Sequence, residues 1–226
     1  RGNPGWAYAD VLPYFKRNEC RVGGDDRWRG RSGPLPVSDI PWTHPICSAF
    51  IAGAQGLGLP LNPDYNGASQ AGVGYFQRSI HGRWRMSTAR TYLWPTRGRV
   101  NLTVRTGSRA VAVRFDGTRA CGVRYWAGEG AASAQQVTAR REVLVCAGAL
   151  NTPRLLQLSG VGPPSLLQDL GLPVVAALPG VGANLSDHFS VRLVMGVHGI
   201  ATLNELSRAP RLWGQVARWL LGLPSI

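Results

Sequence analysis

Asp187 and His188 stand side by side, and Ser159 lies upstream of them in Leu158-Ser159-Gly160-Val161. An acid, an imidazole and a hydroxyl are the ingredients of nucleophilic catalysis. Their setting argues against that chemistry, because Ser159 is not in a G-x-S-x-G elbow, the strained turn that exposes a serine nucleophile. His44, His81 and His198 have no supporting motif around them. Two glycine pairs come near the dinucleotide fingerprint G-x-G-x-x-G: Gly160-Val161-Gly162 and Gly180-Val181-Gly182. In each, another residue, Ser165 or Leu185, occupies the place of the third glycine, and neither pair follows the right strand. The four cysteines (Cys20, Cys47, Cys121 and Cys146) form no C-x-x-C pair, and no histidine falls at a zinc-finger spacing from one. They are expected to be buried free thiols, and no metal site is expected.

The elements around these residues change character along the chain. Tyr8 to Phe15 reads as a short helix broken at Pro13, and Arg21 to Pro36 as a solvated Gly/Arg/Asp loop. His44 to Gly56 has helical apolar spacing and ends at Gly56-Leu57-Gly58. Pro63 to Gly67 is turn chemistry, and Ser87 to Leu93 opens like a helix. From Val100 onward the pattern is β. Leu102 and Val104 form one strand, and Val111–Phe115 pairs with Cys121–Tyr125 across Asp116-Gly117. A further strand over Arg141–Cys146 ends at Ala147-Gly148, with a helix from about Thr152-Pro153. Ser165–Leu170 gives a second helix and Val174-Val175 a short strand. The order strand, hairpin, strand, glycine turn, helix is the grammar of a mixed α/β (α+β) domain of nucleotide-binding type.

The 226 residues are 44% hydrophobic, 8% aromatic and only 16% charged, so the chain can bury a core and does not read as disordered. No apolar run approaches the roughly eighteen residues of a membrane span. The formal charge of +13 is almost all arginine, since Lys16 is the only lysine. Arginines scattered through strands, turns and helices argue against a nucleic-acid module and predict a surface with no single arginine-lined groove.

Several stretches, in order along the chain, resemble the glucose–methanol–choline (GMC) flavoenzyme family. Gly148-Ala149-Leu150-Asn151-Thr152-Pro153-Arg154-Leu155-Leu156-Gln157-Leu158-Ser159-Gly160-Val161-Gly162 is similar, position for position, to the family's second signature. Leu178-Pro179-Gly180-Val181-Gly182-Ala183-Asn184-Leu185-Ser186-Asp187-His188 is close to its "LPGVGxNLxDH" segment. Gly5-Trp6 through Leu12-Pro13-Tyr14-Phe15, Arg85-Met86-Ser87-Thr88-Ala89-Arg90-Thr91-Tyr92-Leu93 and Asn101-Leu102-Thr103-Val104 match three upstream motifs. The likeness is greatest to the choline and alcohol dehydrogenase branch.

The resemblance implies FAD as cofactor and oxidation of a small primary or secondary alcohol, choline-like or other, by hydride transfer to the flavin. Oxygen or a quinone would be the acceptor. It implies a backbone contact to the FAD adenine at about Ala110. Small residues at Ala147 and Gly148 would let backbone approach the dinucleotide, although plain tight strand–helix packing would ask for the same residues. Asp187-His188 becomes a loop-fixing pair. The family's glycine fingerprint is expected before Arg1 and its catalytic histidine beyond Ile226, so no catalytic residue is assigned and the chain reads as an internal fragment. Residues 1–99 are expected to be mainly substrate-side, 100–188 part of the FAD-binding domain and 189–226 the start of a substrate-binding domain. A cytoplasmic or membrane-peripheral location is expected. A catalytically inactive remnant of such an enzyme is the main alternative, ahead of a basic nucleic-acid-binding module.

Overall fold

A computed structural model describes residues 3–128 and 133–226. The chain is a mixed α/β protein that divides into two compact units, one of residues up to Leu102 together with Met195–Ile226, the other Thr103–Val194.

The first unit opens with α1 (Tyr8–Asn18), where the Asp10 carboxylate accepts the Ala7 N–H at 3.0 Å. Pro13 does not break this helix. It sits inside it, so the expected stop is absent even though the ring removes one backbone donor. β1 (Glu19–Arg21) pairs in parallel with β2 (Leu35–Val37). The arginine-rich segment between them is exposed over Val22–Arg27 but not solvated throughout. Arg29 is 2% exposed and its guanidinium donates to Glu19 Oε1 at 2.7 Å and Asp64 Oδ1 at 3.0 Å. Glu19 Oε2 accepts the Gly30 N–H, and Arg31 donates to the carbonyls of Arg21, Gly23 and Gly24. Burial of the guanidinium is tolerable because two carboxylates and their own hydrogen bonds compensate it. Asp64 belongs to a turn in which its Oδ1 also accepts from Asn66 N–H, as the Pro63–Gly67 chemistry anticipates.

α2 (Pro45–Gly56) is capped by His44 Nδ1, which accepts the Ile46 N–H, while His44 Nε2 lies 2.8 Å from the Ala201 carbonyl. This gives an otherwise motif-less histidine a structural role. β3 (Ile80–His81) and β4 (Trp84–Arg85) form a small hairpin. The following helix is a π-helical turn over Ala89–Leu93 that leads into α3 (Trp94–Thr96).

The second unit is built on an antiparallel meander of β5 (Ser108–Asp116), β6 (Arg119–Ala127) and β7 (Gln135–Thr138). The expected hairpin forms, turning at Gly117-Thr118. It carries two bulges: β6 gains one residue between Ala120 and Gly122, and β5 gains one between Ala110 and Ala112. Because the extra residues lie on opposite strands, they cancel, and Arg109 faces Trp126 as in an uninterrupted hairpin. Ala112, Val113 and Tyr125 are buried. The buried Tyr125 hydroxyl donates to Gln135 Oε1 and accepts from Arg105.

Residues 142–146 form no strand, and neither do Leu102 and Val104; all are without a partner strand among the described residues. An apolar run becomes a strand only against a neighbour's backbone, and Leu144 stays 78% exposed. α4 (Gly148–Leu158) begins four residues before Thr152 and carries Pro153 internally. β8 (Val161–Gly162), α5 (Pro164–Asp169) and β9 (Ala176–Ala177) follow, with β8 and β9 parallel. The last strand thus lies just beyond Val174-Val175. The apolar Leu167 of α5 is wholly buried.

The chain then returns to the first unit with α6 (Leu203–Leu206) and α7 (Arg211–Leu220). All four cysteines carry free thiols. Cys47 and Cys146 are exposed and Cys20 and Cys121 half-buried, so the expectation of burial does not hold. Cys47 lies on the exposed side of α2, and Cys146 in the segment ahead of α4 that pairs with no strand.

Candidate cofactor site

The second unit holds an open cleft of about 650 Å³ between β5, β6 and α4. That volume lies within the range of ligand sites, about 300–1,000 Å³. Ala110 reaches it from β5, Trp126 from β6, and Ala147 from the residue ahead of α4. Two of the three residues singled out in the sequence are therefore brought together. The third, Gly148, does not line the cleft. Its φ of +83° turns the chain from the irregular 142–147 segment into α4, and a Cβ there would meet open space. Its role in the structure is conformational rather than one of close approach.

Sequence reasoning missed the cleft's polar groups. Arg109 and Arg124 come from the sheet, and Asn151 and Arg154 from α4. Arg109 also lies over the Trp126 ring, 5.8 Å from its centroid. Counting back from the expected turn at Asp116-Gly117 would set Arg109 opposite Arg124; the observed turn at Gly117-Thr118 sets it opposite Trp126. Three guanidiniums at one cleft correct the expectation that the arginines line no common groove. Local β register concentrates residues that look scattered in sequence.

The two family motifs are joined by one side chain. Gln157 of α4 donates from Nε2 to the Val181 carbonyl at 3.1 Å. Gly182 has φ +84°, and a Cβ there would lie 2.7 Å from Gln157 Nε2, so the loop passes the glutamine only as glycine. Ser159 Oγ donates to the Leu155 carbonyl and accepts the Val113 N–H, which leaves it no nucleophilic role. Asp187 Oδ1 accepts the His188 N–H at 2.7 Å, a local loop contact.

A family model described as GMC oxidoreductase matches residues 1–190. The chain belongs to the GMC oxidoreductase family. Among its relatives, a protein named oxygen-dependent choline dehydrogenase from Rhizobium johnstonii is 42% identical over 222 residues, covering 97% of this chain and 39% of the relative. One of the same name from Brucella anthropi is 44% identical over 190 residues, 84% of this chain and 34% of the relative. This GMC chain is thus choline/alcohol dehydrogenase-like, and it spans about two-fifths of the length of the first of these relatives. Among solved structures, an FAD-dependent oxidoreductase from Chaetomium thermophilum superposes with TM-score 0.75 at 33% identity, covering 79% of this chain and 33% of that one. Pyridoxine 4-oxidase from Mesorbium loti gives TM-score 0.71, also at 33% identity, covering 79% of this chain and 35% of that one.

FAD is the cofactor that goes with this family. The cleft fits the adenine half of FAD. Ala110 and Ala147 place nothing larger than a methyl group at its wall, Trp126 offers an aromatic face, and the guanidiniums suit an anionic phosphate. The described residues of the chain hold no cluster of metal-ligating side chains.

Proposed function

We propose that these residues form part of the FAD-binding framework, with flanking substrate-side segments, of an enzyme that oxidises an alcohol to an aldehyde or ketone. The observation that carries this reading is the meeting of Ala110 and Ala147 in one cleft on a GMC chain. Bound FAD would supply the hydride acceptor. The chain's own part is to present β5 backbone and small side chains to the adenine, and cationic side chains to the phosphates. Residues 103–194 supply this cofactor side, and residues 3–102 and 195–226 the substrate side. The names of the relatives favour a choline-like alcohol as substrate and oxygen, ahead of a quinone, as acceptor. Nucleic acid is not a partner in this reading: Arg21, Arg27, Arg29 and Arg31 are taken up by carboxylates.

The test is a chimera in which this chain replaces the matching 222 residues of the Rhizobium johnstonii relative. The chimera should retain FAD after desalting, and its visible flavin band should bleach on anaerobic addition of choline or a simple alcohol. A chimera that keeps flavin but is not reduced by any alcohol would favour an inactive remnant. One that folds and retains no flavin would refute the cofactor assignment.

A further inference from the structure

We propose that α7 and the arginine–tryptophan cluster beside it form a docking surface for an anionic phospholipid membrane. The surface lies in the first unit and shares no residue with the cofactor cleft. α7 is strongly amphipathic. Arg211, Gln215 and Arg218 share one face, and Leu212, Val216, Trp219, Leu220 and Trp213 span the other. The unit uses only part of that apolar face. Leu212 and Trp219 are half-buried, and the Trp219 ring meets Trp84 edge-on at 5.6 Å. Trp213 and Leu220 remain 67% and 62% exposed, followed by Leu221 at 76%.

The helix is held in place by its neighbour. Arg83 donates to the carbonyls of Trp219 and Leu220 at 2.8 and 2.7 Å, satisfying groups that a helix C-terminus leaves open. From there a chain of cation–π contacts continues. Arg83 lies over Trp219, Arg90 between Trp84 and Trp94, and Arg97 over Trp94. Trp84 and Trp94 are each about half exposed.

The charge of this region is mostly positive, with Glu205 near Arg208 and Arg211 as the exception. Between Asp64 and Asp116 the sequence has no carboxylate, and within that stretch the first unit carries Arg78, Arg83, Arg85, Arg90, Arg97 and Arg99. After Glu205 there is again no acidic side chain, while Arg208, Arg211 and Arg218 follow. Every salt bridge among the described residues lies elsewhere, between Glu19 and Asp64 in sequence. Exposed tryptophan and leucine on a short helix, edged mainly by cations, is the composition of an interfacial helix on an anionic bilayer. A nucleic acid would use the arginines but would leave Trp213, Leu220 and Leu221 in water. No helix among the described residues is long and apolar enough to cross a membrane, so the contact is with its surface.

The experiment is flotation of the 226-residue chain with vesicles of phosphatidylglycerol and phosphatidylcholine, or of phosphatidylcholine alone, over a salt series. Tryptophan emission is also followed with brominated lipid. The chain should float with the anionic vesicles, be released by salt, and lose emission to the bromine. Arg97→Gln with Arg211→Gln should weaken binding by about fivefold for each arginine removed. Trp213→Ser with Leu220→Ser should abolish the bromine quenching, and circular dichroism checks that each variant keeps its helix content. Equal flotation on neutral vesicles, absence of flotation, binding indifferent to both variants, or binding of an RNA oligonucleotide without flotation would each overturn the proposal.

Discussion

Ser159 Oγ accepts the backbone N–H of Val113 at 2.8 Å, across 46 residues of sequence, and so fastens the end of α4 to the edge of β5. Both residues are buried. Ser159→Ala would leave that N–H without a partner away from water, at a cost of about 1–3 kcal/mol. Urea unfolding should show the loss. A variant as stable as the parent would mean that the hydroxyl does not hold helix and strand together.

The Arg29 cluster gives a larger effect. Arg29→Met removes the cation facing Glu19 and Asp64 and leaves two carboxylates in a part-buried site. Breaking a buried pair in this way costs about 3–5 kcal/mol. Removing the charges together, as Arg29→Met with Glu19→Gln and Asp64→Asn, should be less damaging than Arg29→Met alone. Thermal melts of the two variants decide the matter, and a triple variant weaker than the single one would contradict it.

The parts that were legible in the sequence are those governed by local chemistry. Asp116-Gly117 marked the β5–β6 hairpin, and the apolar spacing with Gly56-Leu57-Gly58 marked α2, because turns and helices close within a few residues. The run over Arg141–Cys146 has strand composition, yet composition cannot supply the neighbour a strand needs. Arg29 looked solvated because its partners, Glu19 and Asp64, lie 10 and 35 residues away in sequence. The same holds for the cleft. Ala110 and Ala147 were reached through family likeness and strand–helix logic, whereas Arg124 and Arg154 become neighbours only once sheet and helix pack.

Glu205 should report on pH. Its carboxylate accepts the Thr202 N–H at 2.7 Å and the Thr202 hydroxyl at 3.1 Å, closing a capping box on α6. The Thr202 backbone bond, then its hydroxyl, hold the Glu205 carboxyl below its ordinary value, with Arg211 and Arg208 adding to this. A depressed folded value means that the cap stabilises fully above the ordinary glutamate range and is lost as pH falls through the folded value. NMR titration of the Glu205 side-chain carboxyl should therefore give a midpoint below that of a free glutamate, and Thr202→Ala should move it upward. A midpoint at the ordinary value would show that the box does not form.

The assignment of the cleft to the adenine half of FAD is tested most directly through Trp126, which lines it. With the 226-residue chain, isotope-labelled at tryptophan, the indole N–H signal of Trp126 (assigned with Trp126→Phe) is followed during titration with ADP and, separately, with FMN. ADP carries the adenine and phosphates, whereas FMN carries the flavin alone with one phosphate. ADP should shift the Trp126 signal in a saturable way, an Ala147→Trp change that fills the cleft should abolish the shift, and FMN should leave the signal in place. A Trp126 signal that ignores ADP, or that responds to FMN as strongly as to ADP, would contradict the assignment.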